Sequence, residues 1–271
     1  MFDIDPNKLE ELKAKIIEVG DFVFLEYKKN NFTKKYKDAV DVCTNIDEEA
    51  EIMIRNFLRT NFPEHNIVGE EFEKEDKGSP FSWLIDPIDG TKYFINNISF
   101  FTTCIGLAYN GKPIFGIIYN ACSKDIIYGG ELLGCSYLNG QKIEKVSQKP
   151  FEESMILFEY NGKGSSRDCT KRDLFEGILK KTFYRCRNLG ASVATFGFDI
   201  FRLFTSKKEI DISSTAAILG PVGFEYKVLN CFGNTYYCVG TPEVIEFIEQ
   251  NIEKVNKIKD EDIDRIFSLL N

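Results

Sequence analysis

The stretch WLIDPIDGTKYF, residues 83–94, sets two aspartates, Asp86 and Asp89, at the tip of an apolar run of strand character, with Gly90 and Thr91 directly behind them. Carboxylates gathered at a strand tip repel one another unless cations neutralise them. Hard divalent ions such as Mg²⁺ take oxygen ligands, including carboxylates and backbone carbonyls, and leave positions for phosphate oxygens. A glycine lets the backbone approach an anion closely, and amides at the start of a loop or helix attract phosphate. Asp and Gly also suit turns, but a turn needs no tryptophan-anchored apolar strand in front of it. The pattern points to metal-assisted phosphoryl chemistry.

Acids stand at three further places, each with a second reading. Glu70 and Glu71 close the strand-like NIVGEE, where EEFEKED also reads as a solvated charge run. Asp211 sits in EIDISSTAAIL, where it would equally serve as the N-cap of a helix from Ile212 onward. Asp41 and Asp47 frame VCTNI, and Asp47 would also be a favourable charge at a helix N-terminus.

Composition narrows the chemistry. His65 is the one histidine of the 271 residues, in a polar PEHN stretch that reads as a surface turn, so histidine metal sites and a Ser-His-Asp triad are out of reach. Any metal must be held by oxygen. The eight cysteines form no C-x-x-C pair and several lie in apolar runs, as expected of reduced, mostly buried thiols. A net charge of −8 argues against a nucleic-acid backbone as partner. The absence of a leader pattern and of any 18-residue apolar run makes a cytoplasmic protein without membrane contact the expectation.

The elements that must position these acids follow from periodicity. Asp5-Pro6 reads as a helix start, with Leu9, Leu12, Ile16, Val19 and Val23 at helical spacing. A second helix carries Ala50, Ile54, Phe57 and Leu58 and stops before Pro63. FTTCIGLAY and PIFGIIYN flank Asn110-Gly111, a hairpin signal, and Asn139-Gly140 marks another turn. After residue 150 strands and helices alternate: SMILFEY, FYRCRN and TYYCVG as strands, TKRDLFEGILKK as a helix, VATFGFDIFRLF as a buried helix, then two amphipathic helices. The expectation is a single catalytic domain of residues 1–271 with an α+β, metal-binding lobe over about 1–150 and an α/β, substrate-facing lobe over 151–271.

The series GEE, WLIDPIDGTKYF, GLAYNGKPIFGIIYN, LNGQKI, RNLGAS and a late Asp211, in that order, resembles the inositol monophosphatase family, from about Asp41 to Gly223. The resemblance implies an α/β fold of layered α-β-α-β-α type and a Mg²⁺-dependent, lithium-sensitive phosphatase of a small phosphorylated metabolite, a homodimer using two or three Mg²⁺ ions. Carried over residue by residue, Glu70, Asp86 and the Ile88 carbonyl would hold one ion, and Asp86, Asp89 and Asp211 a second. The amides of Gly90 and Thr91 would contact phosphate. Thr91 and Asp47, with Glu70 nearby, would orient or deprotonate the attacking water. Arg187, Gly190, Ala191 and Ser192 would face the substrate.

The chain also departs from the pattern. The usual W-D-x-A-A reads Ile210-Asp211-Ile212-Ser213-Ser214, and Lys92 follows Thr91 as in relatives acting on 3′-phosphoadenosine 5′-phosphate or histidinol phosphate, though it would equally be a solvated helix residue. Seven positions before Asp211, where inositol-cleaving relatives carry an acid, stands Phe204. Either Phe204 packs against a substrate other than an inositol phosphate, or it belongs to a buried face and Glu209 supplies the acid. Nucleotide, sugar-bisphosphate and histidinol-phosphate substrates therefore stay open beside an inositol phosphate, as does a catalytically silent relative that binds phosphometabolites.

Overall fold

The structure, a computed structural model, describes residues 4–36, 42–146, 149–160, 164–189, 191–198, 201–205 and 208–270. The chain forms two units. The first takes the chain up to Lys145 and then Gly190–Phe196 and Glu209–Val222; the second takes the rest.

In the first unit, helix α1 (Pro6–Lys29) starts on Asp5, whose carboxylate accepts the Asn7 N–H at 2.9 Å, with Pro6 opening the helix. Leu12, Ile16, Val19 and Val23 are buried along one stripe. Strands β1 (Lys34–Tyr36) and β2 (Val42–Thr44) pair antiparallel. Helix α2 (Asn45–Asn61) is started by Thr44 in a capping box with Asp47, buries Ala50, Ile54 and Leu58, and stops before Pro63.

A seven-stranded sheet follows in chain order: β3 (Asn66–Gly69), β4 (Phe81–Asp89), then past a short helix α3 (Thr91–Phe94), β5 (Thr102–Tyr109), β6 (Lys112–Asn120), β7 (Asp125–Gly130), β8 (Cys135–Leu138) and β9 (Gln141–Lys142). Only β3 and β4 run parallel. Asn110 and Gly111 take φ of 48° and 78° to close the β5–β6 hairpin, the left-handed pair a tight turn needs.

Beyond residue 150 come β10 (Met155–Glu159), α4 (Ser166–Thr182), β11 (Arg185–Arg187), α5 (Ala191–Ala194), β12 (Phe201–Thr205), α6 (Glu209–Leu219), β13 (Glu225–Cys231), β14 (Asn234–Gly240), α7 (Pro242–Asn256) and α8 (Asp260–Leu270). Of these, α5 and α6 belong to the first unit. Strand parity places α1 and α6 on opposite faces of the seven-stranded sheet. A Cβ on Gly20 of α1 would meet Tyr119 and Thr103, whereas one on Gly106 or Gly116 would meet Ser213 or Ser214 of α6. Residues 103 and 106, and 116 and 119, differ by odd steps and so face opposite ways.

The second unit is a mixed sheet of order β11-β10-β12-β14-β13. Ile156, Phe158, Phe204, Tyr236 and Cys238 form its inner face, against Phe175 and Leu179 of α4 and Val244, Ile245 and Ile248 of α7.

Two expectations are corrected. VATFGFDIFRLF is not one helix: α5 and a 3-10 turn end at Gly197, and Phe201–Thr205 is a central strand, because its residues complete a sheet between β10 and β14. An apolar run without period does not distinguish the two. His65 closes a turn, its N–H donating to the Phe62 carbonyl at 3.0 Å, but its ring does not lie at the surface. It is half-buried, its ring 5.4 Å from Phe62 and 4.7 Å from Phe81, and burial lowers its pKa. No disulfide joins the eight cysteines. Among the described residues, no helix is long and apolar enough to cross a membrane.

Candidate active site

Asp86 and Asp89 stand three positions apart, so on a regular strand they would point to opposite faces. A bulge prevents this. Asp86 lies opposite Cys104 and Asp89 opposite Thr102, so three steps on β4 match two on β5. Cys104 and Thr102 share a face, and the two aspartates therefore share it as well. Strand β4 thus does not end at Ile85 but carries both acids within it. The Thr103 hydroxyl donates to the Pro87 carbonyl at 2.9 Å, inside the bulge. Pro87, with no N–H to give, falls where neither neighbouring strand has a register partner for it.

That face is the one α6 covers. Asp211 lies in the first turn of α6 rather than at its cap, where the helix dipole favours an acid. Glu70 follows directly on β3, the parallel neighbour of β4. Carboxylate oxygens of Glu70, Asp86 and Asp211 all lie within 4.8 Å of one another. Asp86 and Asp89 are buried, at 2% and 3% exposure. Three converging carboxylates, with no nitrogen or sulfur in the set, fit a hard divalent cation such as Mg²⁺ or Mn²⁺.

Asp89 is held from another side: its Oδ2 accepts the Ser192 N–H at 3.0 Å. The Ser192 hydroxyl donates to the Asp211 carbonyl at 3.4 Å. Ser192, expected to face a substrate, is fully buried behind these acids and ties two of them together.

Gly90 turns the chain out of β4 with φ of 103°, and a Cβ there would come within 2.7 Å of the Phe100 carbonyl oxygen, so the turn requires glycine. Thr91 then opens α3. Its hydroxyl has two acceptors in reach, Asp47 Oδ1 at 3.1 Å and the Ile88 carbonyl at 3.0 Å. Asp47 also accepts the Thr44 N–H at 2.8 Å and the Thr44 hydroxyl at 2.5 Å. Burial pushes the Asp47 carboxyl up to about 7 against those bonds from Thr44 and Thr91, and the charge of Glu71 adds to the rise. Its reading as a helix-start acid is met, and the same side chain also reaches Thr91.

The remaining expected positions divide. Lys92 is exposed on α3. Arg187, in the second unit, is exposed on β11, with its guanidinium donating to the Cys186 carbonyl at 3.0 Å. Ala191 opens α5. Gly190 and Asp41 lie outside the described residues. Phe204 is fully buried in β12, stacked 4.7 Å from Tyr236 and 5.5 Å from Phe158, so it is a core residue and not a substrate contact.

Sequence reasoning passed over Thr44, Thr103 and the role of Ser192. The T-x-x-D spacing of Thr44 and Asp47 is a readable capping signal, and the odd spacing of Asp86 and Asp89 implies the bulge. Nothing local marks Ser192, whose backbone amide does the work.

The model of the inositol monophosphatase family matches residues 6–259. A curated relative from Aquifex aeolicus named fructose-1,6-bisphosphatase/inositol-1-monophosphatase is 28% identical over 268 residues, covering 92% of this chain and 99% of its own. An IMPase structure from Thermotoga maritima superposes with TM-score 0.76 at 21% identity, covering 95% of this chain and 99% of its own. An IMPase/NADP phosphatase solved with Mg²⁺ and phosphate gives TM-score 0.73 at 18% identity, over 90% and 95%. With its fold shared and its sequence matched nearly end to end, the chain belongs to the inositol monophosphatase family, metal-dependent phosphatases of small phosphate monoesters.

Proposed function

We propose that this phosphatase hydrolyses a polyol or sugar phosphate, using Mg²⁺ held by Glu70, Asp86, Asp89, Asp211 and the Ile88 carbonyl. The observation that carries the reading is the convergence of Glu70, Asp86 and Asp211 oxygens within 4.8 Å from a strand end, a second strand and a helix. Bound there, Mg²⁺ would polarise phosphate oxygens and acidify water. Two ions would suit the number of acids, and Asp86 would serve in both ligand sets.

The chain's own groups supply the rest. The Thr91 hydroxyl has one proton for two acceptors. Donating it to Asp47 leaves the Thr91 oxygen able to accept from water, and Asp47, buried and pushed up to about 7, is suited to take a proton near neutrality. Gly90 and Thr91 amides are assigned to phosphate and Arg187, Gly190 and Ala191 to the substrate side, while Ser192 serves through its backbone N–H on Asp89.

Of the two features that favoured a nucleotide, Phe204 is buried in the core and gives it no support, and Lys92 is an exposed residue of α3. Glu209, half-buried two positions before Asp211, is the acid offered for a ring hydroxyl. The names borne by the Aquifex aeolicus relative point to the same substrate class. On the family resemblance we further assign a lithium-sensitive homodimer, and, as the sequence pattern led us to expect, a cytoplasmic protein acting as a single catalytic domain. Phosphate release with Mg²⁺ from inositol 1-phosphate, fructose 1,6-bisphosphate, 3′-phosphoadenosine 5′-phosphate and histidinol phosphate tests the reading. One of the first two should give the highest kcat/KM, and EDTA should abolish release. A tenfold lead for the nucleotide would overturn the substrate class.

A further inference from the structure

We infer that Glu51 is a positioning residue for Glu70, acting through the backbone on either side of it. Asp47, Glu51 and Arg55 recur every four residues on α2 and form one buried polar stripe, at 1%, 0% and 2% exposure. Each member holds a different part of the surrounding chain. Asp47 takes the Thr91 hydroxyl at 3.1 Å. Glu51 Oε2 accepts the Glu71 N–H at 2.8 Å. Arg55 donates to the Phe72 carbonyl at 3.1 Å and to Glu75 at 2.7 Å, and its Nε holds the other oxygen of Glu51 at 2.7 Å.

The same carboxylate lies hard against Gly69. A Cβ on that glycine would stand 1.8 Å from Glu51 Oε1 and 2.2 Å from its carboxyl carbon, a space no side chain can share. Glu51 therefore grips residues 69 and 71, and Glu70 is the residue between them. With Arg55 fixing Glu51 and then Phe72, the turn carrying Glu70 is set by one face of one helix, the face that also holds Asp47 against Thr91. Groups that hold a metal ligand in place typically change metal affinity by about 10- to 100-fold when removed.

This rests on the reading of Glu70 as a cation ligand. Mn²⁺ binding to the metal-free protein, followed by the loss of the free Mn²⁺ electron paramagnetic resonance signal, reads the effect without turnover. Glu51→Asp keeps the charge opposite Arg55 but shortens the reach to the Glu71 amide; Gly69→Ala pushes on the same carboxylate from the other side. Both should raise the Mn²⁺ Kd about tenfold or more, at a temperature where circular dichroism shows them folded. Glu51→Gln, which keeps the reach, should fall between wild type and Glu51→Asp. Leu58→Ala, a core change on the same helix, should lower Tm and leave Kd within twofold. If Glu51→Asp and Gly69→Ala bind Mn²⁺ like wild type while Glu70→Gln does not, Glu51 serves stability alone and the inference is wrong. If Glu70→Gln itself binds like wild type, the ligand reading of Glu70 fails and the inference falls with it.

Discussion

Each unit of this protein buries a distinctive group of side chains at similar depth, acidic in one and aromatic in the other. In the first unit, β4 carries Asp86 and Asp89 with almost no exposure, and α2 adds Asp47 and Glu51. In the second, β10, β12 and β14 bury Phe158, Phe204 and Tyr236, stacked at 4.7–6.1 Å between ring centroids. An aromatic face gains free energy from burial itself. A buried carboxylate costs free energy unless donors or cations answer it. The first unit supplies such donors to three of these acids, from Ser192 on Asp89, Thr44 and Thr91 on Asp47, and Arg55 on Glu51. That contrast separates residues kept for chemistry from residues kept for the fold, and it can be tested from both sides.

The largest effect is expected at Asp86. Asp86→Asn should lower kcat by about 10³-fold, roughly 4 kcal/mol of lost transition-state stabilisation. The metal-free variant should melt no lower than wild type, because one repelling charge has left an acidic cluster. Retention of a tenth of the wild-type rate at saturating Mg²⁺ would remove Asp86 from the centre of the site.

Phe204→Ala should show the reverse pattern. Loss of a fully buried ring costs about 3–4 kcal/mol of stability, read as a shift of the urea midpoint, while kcat and KM per folded molecule stay within twofold. A KM change beyond tenfold at unchanged kcat would restore Phe204 as a substrate contact.

A smaller effect belongs to Asp47. Its folded pKa, about 7, is raised above the ordinary 3.8, so the folded state holds the proton more tightly than the unfolded one. The stability this contributes is complete below pH 3.8 and is lost as pH rises through 7. Between pH 5 and 7 the metal-free wild type should lose on the order of 2 kcal/mol relative to Asp47→Asn, whose side chain does not titrate. Parallel stability curves for the two proteins would show that Asp47 is ionised throughout.

Much of the first unit was legible because its signals are local. Leu12, Ile16 and Val19 spell a helix stripe, Asn110-Gly111 names its turn, and acids inside an apolar strand are anomalous enough to mark themselves. The stretch from Val193 to Phe204, which leaves the first unit and enters the second at Gly197, was harder: its apolar residues carry no period, and its strand exists because β10 and β14 flank it. His65 misled for a related reason: polar neighbours in sequence, but Phe62 and Phe81 in space. Ser192 could not be found at all from side-chain type, since its contribution to Asp89 is a backbone N–H that any residue but proline carries.

Gly106 and Gly116 have a consequence for how natural variation in this chain would be read. Where α6 crosses β5 and β6, a single methyl on either glycine would intrude to 2.7 Å or 2.5 Å of Ser213 or Ser214. Asp211 rides on that helix, two or three residues earlier. An alanine variant at either position changes no charge, touches no ligand and keeps a small apolar residue in a strand, so any scoring by residue similarity would pass it as harmless. It would nonetheless press on the helix that carries Asp211, one of the three converging carboxylates, and so disturb the acidic cluster from outside it.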